Sequence, residues 1–161
     1  MLLKAMVFAV AVGLGVTAVG AGGPDDKPRV DLTLTKVMAE RFNDGDVLVI
    51  CDVVLDNQTG RGLKVRSNFT SPFDGLMIVV RDEKGKLILR QGHTWHQAPF
   101  APPGREFPLQ TGENKGELRF PLRLPADMKN IRVMLVGTLP GSGYDELIYT
   151  DVVPVTITPA K

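Results

Sequence analysis

From Val47 to Leu55 the chain reads Val-Leu-Val-Ile-Cys-Asp-Val-Val-Leu, with Asp52 as its one polar residue. The run is too short and too rich in β-branched side chains for an ordinary core helix, and it fits a pleated strand. Its odd positions, Val47, Val49, Cys51, Val53 and Leu55, share one face. Leu48, Ile50, Asp52 and Val54 share the other. Apolar residues on both faces predict a central strand, shielded on two sides over part of its length. A strand of this kind needs neighbours on both edges, and the rest of the chain has to supply them.

The remaining sequence repeats the period of two. Val30, Leu32 and Leu34 alternate with polar residues, which predicts a half-buried strand. Residues 38–45 read as a helical turn or loop, ending in the turn signal Asn43-Asp44-Gly45. Asp56 to Gly60 turns the chain, and Leu63 and Val65 open a short strand ending near Asn68. Leu76 to Arg81 is a strand. Asp82-Glu83-Lys84-Gly85 turns it back onto Leu87-Ile88-Leu89, with Gly85 placed for a left-handed conformation. Residues 91–115 hold several Pro and Gly and form the one long irregular stretch, with Glu106 to Leu109 as a short strand inside it. Leu118, Phe120, Leu122 and Leu124 define a further strand. Pro121 cannot donate to a ladder, so this strand lies at an edge or carries a bulge. Ile131, Val133 and Leu135 define the next one. After the loop Pro140-Gly141-Ser142-Gly143, Leu147 to Thr158 reads as one long closing strand, kinked or at an edge at Pro154. Asn57 and Asn68 both open Asn-X-Thr sequons and are placed in surface turns. No segment of ordinary length shows a helical period. Seven to nine short strands between polar turns predict an all-β domain, an immunoglobulin-like β-sandwich over residues 30–159.

The N-terminus carries a different pattern. Lys4 is the one charge in the first 21 residues, Ala5 to Ala21 is apolar or small apart from Thr17, and the run ends in small residues. This is the arrangement of a secretory signal peptide, residues 1–21, cleaved after Gly20 or Ala21. Residues 22–29 follow as a polar linker. No Cys lies at the cleavage site to carry a lipid, and no stable membrane insertion is expected after cleavage. The address is therefore periplasmic or extracellular.

Charge narrows the partners. Removing Lys4 from the 19 basic residues leaves them equal in number to the 18 acidic ones. A neutral domain lacks the basic footprint of a nucleic-acid binder. Cys51 is the single cysteine, so no internal disulfide can form and the core alone must hold the fold.

Few residues suggest chemistry. His93, Trp95 and His96 fall within four residues of the long stretch, and two imidazoles three apart on a turn can reach one zinc or copper ion. Two ligands without a third are weak grounds for a site, so packing of Trp95 over the end of the domain is the preferred reading. Trp95, Phe100 and Arg105 are the candidate contacts for a protein partner bound through the 91–115 loop. Cys51 shares its face with valines and leucine and reads as a buried apolar residue. Pro140-Gly141-Ser142-Gly143 lacks the first Gly and the strand-to-helix turn of a nucleophile elbow. The carboxylates show no pairing for acid–base work, and no cofactor fingerprint is present.

The segment from about 46 to 110 resembles the immunoglobulin-like domain of bacterial intracellular proteinase inhibitors of the BsuPI type. The resemblance rests on Leu55-Asp56-Asn57-Gln58-Thr59, Phe69-Thr70-Ser71-Pro72-Phe73-Asp74 and Asp82-Glu83-Lys84-Gly85-Lys86. It continues through His96-Gln97-Ala98 and Pro103-Gly104-Arg105-Glu106. Leu87-Ile88-Leu89 stands where that family has a Trp after the Gly turn, and those inhibitors work inside the cell. The resemblance implies the fold and a binding module with exposed loops, and transfers no inhibitory residue. The expected function is thus an exported, non-enzymatic binding or structural module, with protease inhibition as one form of it. A metal-binding protein using His93 and His96 is the alternative, and a small hydrolase built from scattered carboxylates ranks third.

Overall fold

The structure, a computed structural model, describes residues 29–67, 71–73, 75–92 and 105–160. Within them the chain is all-β, with no helix. Ten strands follow one another: β1 (Val30–Arg41), β2 (Asp46–Asn57), β3 (Leu63–Ser67), β4 (Leu76–Arg81), β5 (Leu87–Gly92), β6 (Arg105–Leu109), β7 (Gly112–Arg123), β8 (Asn130–Leu139), β9 (Tyr144–Tyr149) and β10 (Val153–Pro159). Eight of them form one sheet in the order β5-β4-β8-β10-β1-β2-β7, with β9 paired to β8 beside β10. β3 and β6 make a separate two-stranded arm.

The central strand is the one its composition predicts. β2 is flanked by β1 and β7, and Val47, Val49, Cys51, Val53 and Leu55 are all buried. In the β2–β7 register Val47, Val49 and Cys51 lie opposite Leu122, Phe120 and Leu118, so each core residue meets another across the strand. Leu76, Ile78 and Val80 of β4 and Ile131, Val133 and Leu135 of β8 join the same hydrophobic cluster. The sheet curls so that its two end strands approach each other. Gln91 Nε2 on β5 donates to the Pro121 carbonyl on β7 at 2.9 Å. Pro121 therefore sits on an end strand of the sheet, where its missing N–H interrupts no ladder.

Three departures from the sequence reading in this part of the fold have a visible local cause, and a fourth, in the 91–115 stretch, is that β7 already begins at Gly112. First, residues 38–41 continue β1 instead of forming a helical turn or loop. The register shifts between Leu34, opposite Val53, and Lys36, opposite Asp52, and Thr35 Oγ1 donates to the Asp52 carbonyl at 3.1 Å. This bulge moves the buried set from Val30 and Leu32 to Ala39. An alternation that changes parity midway no longer looks like one strand. The turn signal at Asn43 holds, with Asn43 Oδ1 accepting from the Gly45 and Asp46 amides.

Second, the long closing strand is two strands. Thr150 is buried and stands between them: its amide donates to the Leu135 carbonyl, its Oγ1 accepts from the Leu135 amide, and the same hydroxyl donates to the Asp151 carbonyl. A side chain thus replaces the ladder for one step. Beyond it, Val153 pairs with Val133. β10 then leaves β8 after Thr156 and runs parallel to β1 from Ile157. Pro154 lies on the β8-paired half, opposite Arg132.

Third, Asn57 is not in a surface turn. It ends β2 on the buried parity and is fully enclosed. An amide so placed has no room for a glycan in the folded chain. Asn68 lies outside the described residues.

Candidate functional site

His93, Trp95, His96 and Phe100 lie outside the described residues. Arg105 is exposed and opens β6, opposite Ser67 in the two-stranded arm. The strand expected at Glu106 to Leu109 is present as β6, so the stretch after residue 104 is regular. Among the described residues no group of three His, Cys, Asp or Glu side chains gathers to hold a metal ion.

The two residues with nucleophilic side chains singled out in the sequence are structurally occupied. Ser142 Oγ donates to the Leu139 carbonyl at 2.6 Å and accepts from the Tyr144 amide at 3.1 Å, closing the β8–β9 hairpin. Cys51 is fully buried between β1 and β7, and burial, with Asp52 beside it, pushes the thiol up to about 12. Both effects suppress the thiolate that reactivity requires. The native protein should therefore resist a thiol-reactive dye and label fully in denaturant. The same shift carries a pH dependence. The unfolded thiol ionises near its ordinary value of 9.0 and the folded one near 12, so this contribution is intact below pH 9 and is lost as pH rises between the two. The urea midpoint should fall over that range in the native protein, and fall less in Cys51→Val.

The feature that needs a functional account is the outer face of the sheet formed by β5, β4, β8 and β9. Six large hydrophobic side chains are exposed among the described residues: Phe42, Met77, Leu87, Leu147, Tyr149 and Val152. Five of these belong to or adjoin this one sheet. The ladder registers explain why. Inward positions Ile78, Leu135 and Ile148 are buried, so their strand neighbours Met77, Val136, Leu147 and Tyr149 face away from the core. Met77 lies opposite Gly92 on one side and Val136 on the other, and Val136 lies opposite Tyr149. One row thus crosses four strands as Gly92, Met77, Val136 and Tyr149. The next row is Arg90, Val79 and Met134, and the third is Leu87, Arg81 and Arg132. Arg81 Nη1 donates to the Gly85 carbonyl at 2.9 Å, and none of the ion pairs among the described residues involves Arg81, Arg90 or Arg132.

The opposite outer face differs in kind. Across β1, β2 and β7 its rows pair Lys36 with Asp52 and Glu117, and Asp31 with Asp56 and Glu113. Side chains there close on one another: Arg119 with Glu117 at 2.7 Å, Lys115 with Glu113 at 3.3 Å, and Gln58 Nε2 with both Asp31 and Asp56. This face carries these polar contacts beside the half-buried side chains of Met38, Leu48, Ile50 and Val54. The other exposes apolar side chains together with Arg90 and Arg132, which make no ion pair among the described residues.

Sequence reasoning pointed to the long loop and did not mark this face. Leu76-Met77-Ile78-Val79-Val80 and Leu147-Ile148-Tyr149 are apolar at every position, so alternation could not show which side chains turn outward.

The chain matches no protein-family model and no curated protein. Among solved structures it is similar to the putative ApaA protein from Bordetella pertussis, with a TM-score of 0.43 at 16% identity, covering 84% of this chain and 98% of that one. It is also similar to the N-terminal domain of PorA, with a TM-score of 0.33 at 9% identity, covering 80% of this chain and 97% of that one. Neither likeness is close enough to bear on function.

Proposed function

We propose that the protein is an exported, non-enzymatic binding module with an immunoglobulin-like sandwich fold, and that it recognises a protein through the outer face of β5-β4-β8-β9. The strand order supports the sandwich. It divides into β7-β2-β1 and β5-β4-β8-β9, joined where β10 passes from antiparallel pairing with β8 to parallel pairing with β1. The pattern of Lys4, the apolar run to Ala21 and the small residues after it supports export.

The observation that carries the binding role is the concentration of exposed large apolar side chains on one sheet face, where five of the six found among the described residues lie. A rigid sheet holds these side chains at fixed spacing, so little ordering cost is added on binding. A photo-crosslinking residue placed at Tyr149, in cells that make the protein, should form protein adducts well above those from the same residue placed at Lys115 on the other face. Equal adduct levels at the two positions would remove this reading.

A further inference from the structure

We propose that the cleft where β5 closes over β7 binds a medium-chain aliphatic carboxylate, a fatty acid, with Arg123 holding the carboxylate. Gln91, which borders the cleft, has the inward parity of β5, opposite buried Ile78. The cleft therefore does not share the outer face of β5-β4-β8-β9, and its occupancy is independent of the binding role given above.

The curl of the sheet makes the cleft. Gln91 reaches across to the Pro121 carbonyl on β7. There β2 runs beside β7, with Leu48 opposite Pro121 and Asp46 opposite Arg123. The turn from β1 to β2 adds Phe42. The space these residues border is about 410 Å³, at the small end of the range for small-ligand sites. Its walls are largely apolar, from Phe42, Leu48, Pro121 and Leu122. Phe42 is 58% exposed, and it is the large exposed hydrophobic side chain that lies away from β5, β4, β8 and β9. A bound hydrocarbon chain takes that apolar surface out of water.

Arg123 is the one basic residue bordering the cleft. No ion pair among the described residues involves it. Its cross-strand neighbour Asp46 instead accepts from Asn43 Nδ2 at 2.7 Å, within the turn. The arginine side chain lies across Gly45, where an added Cβ would stand 3.5 Å from Nε and 3.7 Å from Cγ. A guanidinium held at an apolar cleft without a carboxylate of its own is matched by a ligand that brings one. The strand edge favours a hydrocarbon over a peptide. Pro121 has no N–H to give and its carbonyl is taken by Gln91, so a peptide backbone cannot extend the ladder past this point. A short chain on an open cleft, gripped by one arginine, binds weakly, with a dissociation constant of roughly 0.1–1 mM.

Amide chemical shifts of the protein titrated with decanoate test the site. Saturable shifts are expected at Phe42, Leu48, Leu122 and Arg123, and none at Lys115. Decyltrimethylammonium, with the same tail and the opposite charge, should bind about tenfold more weakly or worse. Arg123→Gln should weaken decanoate about tenfold and leave the urea midpoint in place. Arg123→Glu should reverse the preference between the two amphiphiles, which a loss of folding would not do. Phe42→Ala should weaken both by a similar factor of about three, since it removes wall and not charge. No saturable shift up to roughly 10 mM decanoate overturns the proposal. So does equal affinity for the two amphiphiles, or decanoate affinity unchanged in Arg123→Glu. Shifts confined to Met77, Val136 and Tyr149 would put the amphiphile on the outer face, which removes this site and leaves the protein-binding role to its crosslinking test.

Discussion

Asn57→Leu is expected to lower the stability of the domain by roughly 3–5 kcal/mol, read as a shift of the urea midpoint with an unchanged slope. The side chain is fully buried and uses its whole hydrogen-bonding capacity. Nδ2 donates to the Arg61 carbonyl at 2.8 Å and to the Gln110 carbonyl at 3.2 Å. Oδ1 accepts from the Thr59 amide at 3.1 Å and from Thr59 Oγ1 at 2.6 Å. One amide therefore ties the end of β2 to the turn after it and to the link between β6 and β7. Each bond contributes about 0.5–1.5 kcal/mol, and a buried partner left unsatisfied costs about 1–3 kcal/mol more. Asn57→Asp separates these contributions. It keeps the acceptor for Thr59 but sets a carboxylate oxygen against two carbonyls, so it should be nearly as damaging as Leu. A loss under about 1 kcal/mol in both variants would show that water replaces these bonds.

Phe120→Ala should cost a similar amount, about 3–5 kcal/mol, by a different mechanism. Phe120 is among the largest fully buried side chains, on β7 opposite Val49, and the sheet surrounds it with Val47, Cys51 and Leu118 as ladder neighbours. Truncation removes the ring's transfer free energy and leaves a cavity that strands fixed in register on β2 and β7 cannot collapse to fill. Domains of this size are stable by about 5–15 kcal/mol, so the variant should lose a large fraction of its margin and unfold well below the native midpoint. Phe42→Ala provides the contrast. That ring is 58% exposed, and its removal should change stability by less than about 1 kcal/mol. Thermal melts followed by circular dichroism would show both. If the two phenylalanine variants melt together, the placement of Phe120 at the centre of the core is wrong.

The two sites also show what kind of signal each residue left in the sequence. Phe120 alternates with Arg119 and Pro121 and announces its burial. Asn57 occupies the same parity as Val47, Val49, Cys51, Val53 and Leu55, so its burial was encoded in the series it terminates. Turn propensity pointed the other way, because Asp56-Asn57-Gln58-Thr59-Gly60 is also a turn composition. The surface-turn reading fails, but the turn composition has a structural cause. The side chain is in the core and its bonds build the turn.

The strand content, the hairpin at Gly85, the edge position of Pro121 and the buried state of Cys51 all follow from local rules. Gly85 has a positive φ of 85°, its amide bonds the Asp82 carbonyl, and the turn closes where composition placed it. These features depend only on period-two patterning and on the special backbones of Gly and Pro, which a single chain segment expresses without help from distant residues. What tertiary structure alone decided are the features that depend on pairing between segments. The bulge at Thr35 is fixed by Asp52, the break at Thr150 by Leu135, and the exchange of β10 from β8 to β1 by both partners together. The outward face with Met77, Val136 and Tyr149 belongs to this second group. Strands apolar at every position do not say which side is inside until a neighbouring strand and a core choose for them.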